Sequence, residues 1–210
     1  MKPEVCVLLY PGCVFFEIAL ATETLAAACT IRCLTPDGAD HAASNGARLR
    51  ADAGYAALQA GPAPAAVLVP GGDPRAILLP RNLAREPLQA ALAGGALLAG
   101  ICAGNLVLAA AGVLRGRRAT HNYAPPWASP AQVAATAPYW EGLHYLAADL
   151  VEDGPVITAM PWAYRRYAAA VARRLAVLDA AAARDLESYV QRRSLQPPGG
   201  AADAAGLGTS

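Results

Sequence analysis

The sequence places one cysteine, Cys102, in the segment Gly-Ile-Cys-Ala-Gly. An apolar run at residues 96–101 predicts a buried strand before it, and an Ala/Leu-rich run at 105–114 predicts a helix after it. At this strand-to-helix junction, Gly100 and Gly104 provide the permissive backbone angles and the small volume that a tight turn requires. Because helix N–H groups and the helix dipole favour negative charge, the position suits a thiolate, the nucleophilic form of cysteine. The alternative is an ordinary buried cysteine.

Two titratable residues elsewhere in the chain are candidates for moving protons at Cys102. Glu17 is an acid within an apolar segment, near the start of the first predicted helix, and His121 follows a short strand beyond the Cys102 helix. If Glu17 lies against Cys102 in an apolar pocket, desolvation and the thiolate raise the pKa of its carboxyl, and the protonated acid can donate to the sulfur. The alternatives are a solvated acid for Glu17 and a packed histidine for His121.

A Pro-Gly-Gly turn follows the third predicted strand. Sites in open α/β sheets form outside the carboxyl ends of the strands. Three strand ends carry unusual residues here: this one, the end of the first strand and the end of the strand before Cys102. The backbone N–H groups of Gly71 and Gly72, together with that of Ala103, can approach a ligand closely and stabilise a developing oxyanion. The alternative is a plain turn.

The elements that must position these residues alternate between strand and helix. Strands are predicted at residues 5–10, 30–34, 66–69, 96–101, 149–151 and 156–159, and helices at 14–29, 81–93, 105–114, 162–178 and 180–193. This alternation implies an α/β fold with a parallel sheet covered on both faces. Residues 43–61 contain a hairpin or an irregular excursion. The pocket walls are expected from the irregular stretches 73–80 and 124–140. We predict one domain at 1–194 and a flexible Ala/Gly/Asp/Ser tail at 195–210.

Composition limits the classes of function. Residues 87–114 carry no charge, as in a membrane span, but glycines divide them into pieces of globular length, so we expect no membrane association. The formal net charge of +1 favours no particular partner. The cysteines are odd in number and lack metal-type pairing, and no signal peptide is evident, so a reduced, cytoplasmic protein without a bound metal is expected. The five are Cys6, Cys13, Cys29, Cys33 and Cys102.

Several of these segments together resemble the ThiJ/PfpI family of the class I glutamine-amidotransferase-like superfamily. They are Leu-Val-Pro-Gly-Gly ending at Gly72, Ala-Gly-Ile-Cys-Ala-Gly around Cys102, and Leu-Arg-Gly-Arg-Arg-Ala-Thr-His ending at His121, with Tyr-Pro-Gly and Glu17 upstream. The resemblance extends to about residue 174. It implies a flavodoxin-like, doubly wound fold, a homodimer and no cofactor. By the same resemblance Cys102 is the nucleophile, Glu17 its acid partner, His121 the nearby histidine, and Gly72 and Ala103 the oxyanion donors.

Differences within the family narrow the expected activity. Ala103 replaces the histidine that follows the cysteine in protease-like members, so proteolysis is not expected. The helix after Cys102 is similar to that of isonitrile hydratases, which commonly have Asp at the position of Glu17, whereas glyoxalase- and deglycase-like members share the Glu, Cys and His. AraC-type regulators add a helix-turn-helix unit, for which too few residues follow Leu178, so no nucleic acid is expected as partner.

Two functions therefore remain open from the sequence. One is an enzyme in which the Cys102 thiolate adds to a small electrophilic carbonyl or isonitrile substrate while Glu17 and His121 move protons. The other is a redox-responsive or protective protein in which Cys102 is oxidised and no turnover occurs.

Overall fold

The computed structural model of the protein describes residues 2–188. Within them the strands are β1 (Glu4–Leu8), β2 (Thr30–Thr35), β3 (His41–Ala42), β4 (Arg48–Leu49), β5 (Ala53–Gly54), β6 (Ala66–Val69), β7 (Leu97–Ile101), β8 (Arg118–Ala119), β9 (His144–Tyr145), β10 (Leu150–Asp153) and β11 (Val156–Ala159). The α-helices are α1 (Phe16–Ala26), α2 (Arg75–Leu78), α3 (Arg85–Ala93), α4 (Gly104–Ala110), α5 (Pro130–Thr136), α6 (Tyr164–Arg174) and α7 (Ala180–Ser188).

A seven-stranded sheet forms the centre of the fold, in the order β10-β11-β7-β6-β1-β2-β5. All neighbours pair in parallel except β10 and β11, which form an antiparallel pair around a turn. Every residue of β6 and of β7 is buried, so helices cover the sheet on both faces. The predicted α/β, mostly parallel, flavodoxin-like fold class is therefore confirmed.

Buried tyrosines join the helices and turns to the sheet. On α6, which packs against α1, the Tyr167 hydroxyl donates to the Ala99 carbonyl of β7 at 2.9 Å. The Tyr10 hydroxyl, just beyond β1, donates to the Pro70 carbonyl at 2.9 Å. Each hydroxyl keeps a hydrogen bond where water is excluded. The contact of Tyr10 with Pro70 holds the ends of β1 and β6 next to each other. The two glycines of the Pro-Gly-Gly turn come directly after Pro70.

The irregular stretches of the sequence contain more regular structure than predicted. Ser129 caps α5 by accepting from the Gln132 N–H, while the Gln132 side chain accepts from the Ser129 N–H, a reciprocal capping box. In the excursion at 43–61, β3 and β4 form a small hairpin and β5 joins the edge of the main sheet. The helix after Cys102 ends at Ala110, earlier than predicted, before Gly112 with φ of 80°.

The charge-free run at 87–114 divides as its glycines predict, into α3, β7 and α4. Across residues 2–188, none of the helices combines the length and the apolarity that crossing a membrane requires. The predicted last helix at 180–193 is observed as α7 up to Ser188. The predicted tail at 195–210 lies outside the described residues.

Candidate functional site

Cys102 occupies a strained turn between β7 and α4. Its φ is 56°, a left-handed conformation that costs a residue with a side chain about 1–3 kcal/mol. The Ala159 carbonyl of β11 holds the turn from two sides, accepting from the Cys102 N–H at 3.0 Å and from Asn105 Nδ2 at 2.9 Å. The strain therefore persists because the surrounding hydrogen bonds fix it, and it directs the thiol out of the end of the sheet.

The two glycines around Cys102 act through their small volume, and the expectation of permissive angles at both was wrong. Neither has a positive φ; the left-handed residue is Cys102 itself. A Cβ on Gly100 would lie 2.7 Å from Asn105 Oδ1, and one on Gly104 would collide with the Val69 carbonyl. They allow α4 to begin directly against the ends of β6 and β7.

Glu17 lies against the Cys102 thiol, which excludes the solvated alternative. Only 5% of Glu17 is exposed, and its Oε2 accepts a hydrogen bond from the Gly71 N–H at 2.7 Å. A Cβ on Gly71 would lie 2.5 Å from Glu17 Oε2 and 2.8 Å from Cys102 Sγ, so the three groups are in mutual contact. The thiol of Cys102 donates a hydrogen bond to the Glu17 carboxylate. The first turn of α1 and the turn after β6 thus meet at the sulfur.

Burial raises the pKa of both members of this pair. It raises the pKa of Cys102 to about 12, with the charge of Glu17 adding to the effect and the Ala103 N–H and the Asn122 side chain opposing it. It also raises the pKa of the Glu17 carboxyl, against the hydrogen bonds from Gly71 and Cys102. The net effect on the Cys102 thiol is therefore a raised pKa, and the helix N-terminus alone does not make it a thiolate. Because two adjacent anions repel, the pair retains at least one proton at neutral pH.

His121 is buried in an aromatic stack. Its ring lies 3.9 Å from that of Trp140 and 4.7 Å from that of Tyr145, measured between centroids, and its Nδ1 accepts from the Tyr123 N–H at 3.1 Å. Burial lowers the pKa of His121 to about 4, so the ring is neutral at pH 7 with its proton on Nε2. These contacts are those of a packed histidine, and a proton-shuttle role for His121 stays a prediction.

The side chain that reaches the sulfur from this segment is that of Asn122, which the sequence analysis did not identify. Asn122 Nδ2 donates to Cys102 Sγ at 3.8 Å. The sequence signal that could have identified Asn122 was its position, directly after His121 and beyond the end of a short strand. An amide offers a donor to a thiolate but exchanges no proton at neutral pH, so within residues 2–188 Glu17 is the titratable group that the structure places at the sulfur.

The three predicted oxyanion donors differ in what their N–H groups contact. The Gly71 N–H is used by Glu17, and the Ala103 N–H points to the Cys102 sulfur. Gly72 has φ of 125° and forms a bridge with Cys13, in a position where a Cβ would lie 2.6 Å from the Gly12 carbonyl oxygen. Glycine is therefore required at position 72. Its N–H remains the candidate donor to a substrate.

A cavity of about 660 Å³ opens beside this group. Gly72, Leu106 of α4 and Tyr123 line part of it. Burial together with the charges of Cys102 and Asp73 raises the pKa of Tyr123 to about 12. The rest of the wall consists of Asp73, Pro74, Arg75, Leu78, Leu79, Ala131, Gln132, Ala135, Thr136 and Tyr139. These residues come from the stretches 73–80 and 124–140, as predicted.

The chain and its fold match a known protein family. The sequence profile of the DJ-1/PfpI family matches residues 3–172, and the chain belongs to this family. Among solved structures, a DJ-1 superfamily protein from Agrobacterium tumefaciens, Atu0886, is 26% identical with a TM-score of 0.76, over 91% of this chain and 98% of that chain. No curated protein sequence matches the chain.

Two further solved structures show the breadth of this fold. Drosophila melanogaster DJ-1beta is 23% identical with a TM-score of 0.71, over 91% of this chain and 98% of that one. An AraC family transcriptional regulator from Pseudomonas putida is 21% identical with a TM-score of 0.70, over 90% of this chain and 100% of that one. At these identities the likeness concerns the fold alone, so activity must be argued from the site.

Proposed function

We propose that the protein is an enzyme that uses Cys102 to attack a small electrophile, by isonitrile hydration or by glyoxalase- or deglycase-like carbonyl chemistry. The observation that carries this proposal is the contact of Glu17 with Cys102 near a cavity large enough for a small molecule. We infer that this pair holds one proton at neutral pH, because burial raises the pKa of both groups and two adjacent anions would repel. A nucleophile with an adjacent acid-base group is the arrangement that covalent catalysis requires.

The reaction begins with a proton transfer inside the pair. The thiol proton moves to the Glu17 carboxylate, whose raised pKa makes it a stronger base than an exposed glutamate. The thiolate that forms is stabilised by the Ala103 N–H and by Asn122 Nδ2. It attacks the electrophilic carbon, and Glu17 returns the proton to the adduct. For a carbonyl substrate the Gly72 N–H is the donor to the developing oxyanion.

The alternative is a redox-responsive protein in which Cys102 is oxidised to a sulfinic acid held by Glu17. The hydrogen bond between the two groups favours it, because a protonated carboxyl can donate to a sulfinate oxygen. The cavity favours the enzyme, because oxidation of a thiol by peroxide does not require a space of that size beside it.

One experiment separates these functions. Purified protein is assayed with methylglyoxal and with a simple isonitrile, with Cys102→Ser as the control that retains the size of the side chain. We expect turnover of at least one substrate by the wild type and none by Cys102→Ser. Turnover of neither, together with a peroxide-dependent mass gain on Cys102, would support the sensor instead.

The resemblance further supports a homodimer that acts without nucleic acid or a membrane as partner, and we propose these properties with the function. Light scattering on the purified protein measures the first directly. A mass of one chain at micromolar concentration would contradict it.

A further inference from the structure

A second cavity, of about 360 Å³, has an aromatic wall and shares no lining residue with the cavity near Cys102. Trp127, Tyr145 and Trp162 line it, and they are 55%, 39% and 45% exposed. These are three of the six large apolar side chains that residues 2–188 leave exposed. Single exposed apolar residues are ordinary, but a group of three around one cavity indicates a binding site.

Asp149 lies on the same wall and orients one of the rings. Its Oδ1 accepts a hydrogen bond from Trp162 Nε1 at 2.8 Å. This bond uses the single N–H of that indole, so the ring surface is what Trp162 has left to offer a ligand. The Trp127 ring lies 4.5 Å from that of Trp162 between centroids, with the two planes inclined by 51°. The two indoles therefore meet at an angle rather than in a flat stack.

The charge of this cavity is negative. Asp149 is the one charged residue among those that line it within residues 2–188. Arg166 Nη1 lies 3.5 Å from Asp149 Oδ2, but both side chains are about half exposed, and such a pair stabilises little. Arg166 also lies 4.0 Å from Glu187, on the wall of a neighbouring cavity. Because the faces of aromatic rings are negative as well, the wall attracts a cation.

The polar groups of the wall favour a cation without N–H groups. A primary ammonium brings three donors that need acceptors, and one oxygen of Asp149 is already engaged by Trp162. The other lining residues are two alanines and Met160, which offer no strong side-chain acceptor. A quaternary ammonium group has no donor to satisfy, and its methyl groups pack against aromatic rings and a thioether. The volume suits a small molecule.

We propose that this cavity binds a small molecule that carries a quaternary ammonium group, held by the rings of Trp127, Tyr145 and Trp162 beside the Asp149 carboxylate. The site is separate from the reaction proposed at Cys102 and does not depend on it.

The test compares choline with 3,3-dimethylbutan-1-ol, which has the same shape but a carbon in place of the charged nitrogen. Binding to the purified protein is measured by titration calorimetry at constant ionic strength. We expect choline to bind with a Kd below about 1 mM and the neutral alcohol to bind at least about tenfold more weakly. Equal affinity for the two, or no saturable binding of choline, would overturn the proposal.

Two variants separate the charge from the rings. Asp149→Asn retains an acceptor for Trp162 Nε1 and removes the charge, whereas Trp162→Leu removes a ring. Each should weaken choline binding about threefold to tenfold. Phe16→Leu is the control, because Phe16 is an exposed aromatic residue that does not line the cavity. Thermal melting checks that the variants fold. Wild-type affinity in Asp149→Asn, or an equal loss in Phe16→Leu, would contradict the proposed site.

Two other occupants of the cavity are distinguished by further measurements. If a second copy of the chain covered it, Trp127→Ser would convert a dimer to a monomer in light scattering, and that result would overturn the proposal. Phosphatidylcholine vesicles present the same group on a lipid. We expect no sedimentation of the protein with them, because their phosphates face the Asp149 carboxylate. Sedimentation that is lost in Asp149→Asn would overturn the assignment to a free small molecule.

Discussion

Replacing Gly71 with alanine tests the contact on which the site depends. The added Cβ would lie 2.5 Å from Glu17 Oε2 and 2.7 Å from Cys102 Cβ, whereas ordinary van der Waals contact begins at 3.4 Å. The carboxylate would have to move by about 0.9 Å, which stretches its 2.7 Å hydrogen bond from the Gly71 N–H. Gly71 does not have a positive φ, so the substitution adds bulk without straining the backbone.

Two magnitudes follow from this displacement. Overpacking of a buried site costs about 1–3 kcal/mol, so the free energy of unfolding in urea should fall by that amount. Misplacing a catalytic group by about 1 Å costs on the order of a hundredfold in rate, so turnover of the substrate that the wild type converts should fall accordingly. Gly61→Ala is the matched control, because its Cβ would meet nothing within 4 Å and its φ is not positive. If Gly71→Ala matched this control in both measurements, the close packing of Glu17 against Cys102 would be refuted.

Two further predictions concern stability against pH, measured by urea unfolding. The folded pKa of His121, about 4, lies below its ordinary 6.5, so the folded state binds fewer protons and the wild type should lose stability as pH falls from 6.5 to 4. His121→Phe should lose less over this range, and an equal loss would show that the histidine is not held neutral. The folded pKa of Cys102, about 12, lies above its ordinary 9.0, so the folded state retains a proton that the unfolded state releases. Stability should therefore fall as pH rises from 9 to 12, by at most about 1.4 kcal/mol per pH unit from this group. Cys102→Ser should show a shallower fall, and equal slopes would contradict the raised pKa.

The sequence predicted well those parts of the fold in which local pattern and tertiary packing agree. The strand at 66–69 was predicted at its observed bounds because all four residues are apolar and lie between turn residues. Helix α5 was missed because its apolar residues are few, although Ser129, Pro130 and Gln132 carry a recognisable capping signal. The edge strand β5 has two residues, and such a strand is defined by its neighbour rather than by its own sequence.

The same distinction applies to the site. The position of Cys102 at a strand end and of Glu17 in an apolar segment could be predicted, because each depends on local sequence. The pKa of the thiol could not, because it depends on how far the folded chain buries the sulfur and on the charge that faces it. The choice between His121 and Asn122 depends on the direction of neighbouring side chains in a loop. The sequence contains no periodicity there that would decide it.

The central proposal is that Glu17 and Cys102 share one proton at neutral pH, and the pH dependence of Cys102 alkylation tests it most directly. While the pair holds one proton, the thiolate forms by transfer to Glu17, and its fraction does not depend on bulk pH. Iodoacetamide labelling of Cys102, followed by peptide mass spectrometry at pH 6.5 to 8.5, should proceed at a nearly constant rate in the wild type. In Glu17→Gln the thiol must lose its proton to water, so its rate should rise about tenfold per pH unit below the thiol pKa. A tenfold rise per unit in the wild type, or a constant rate in Glu17→Gln, would contradict the shared proton.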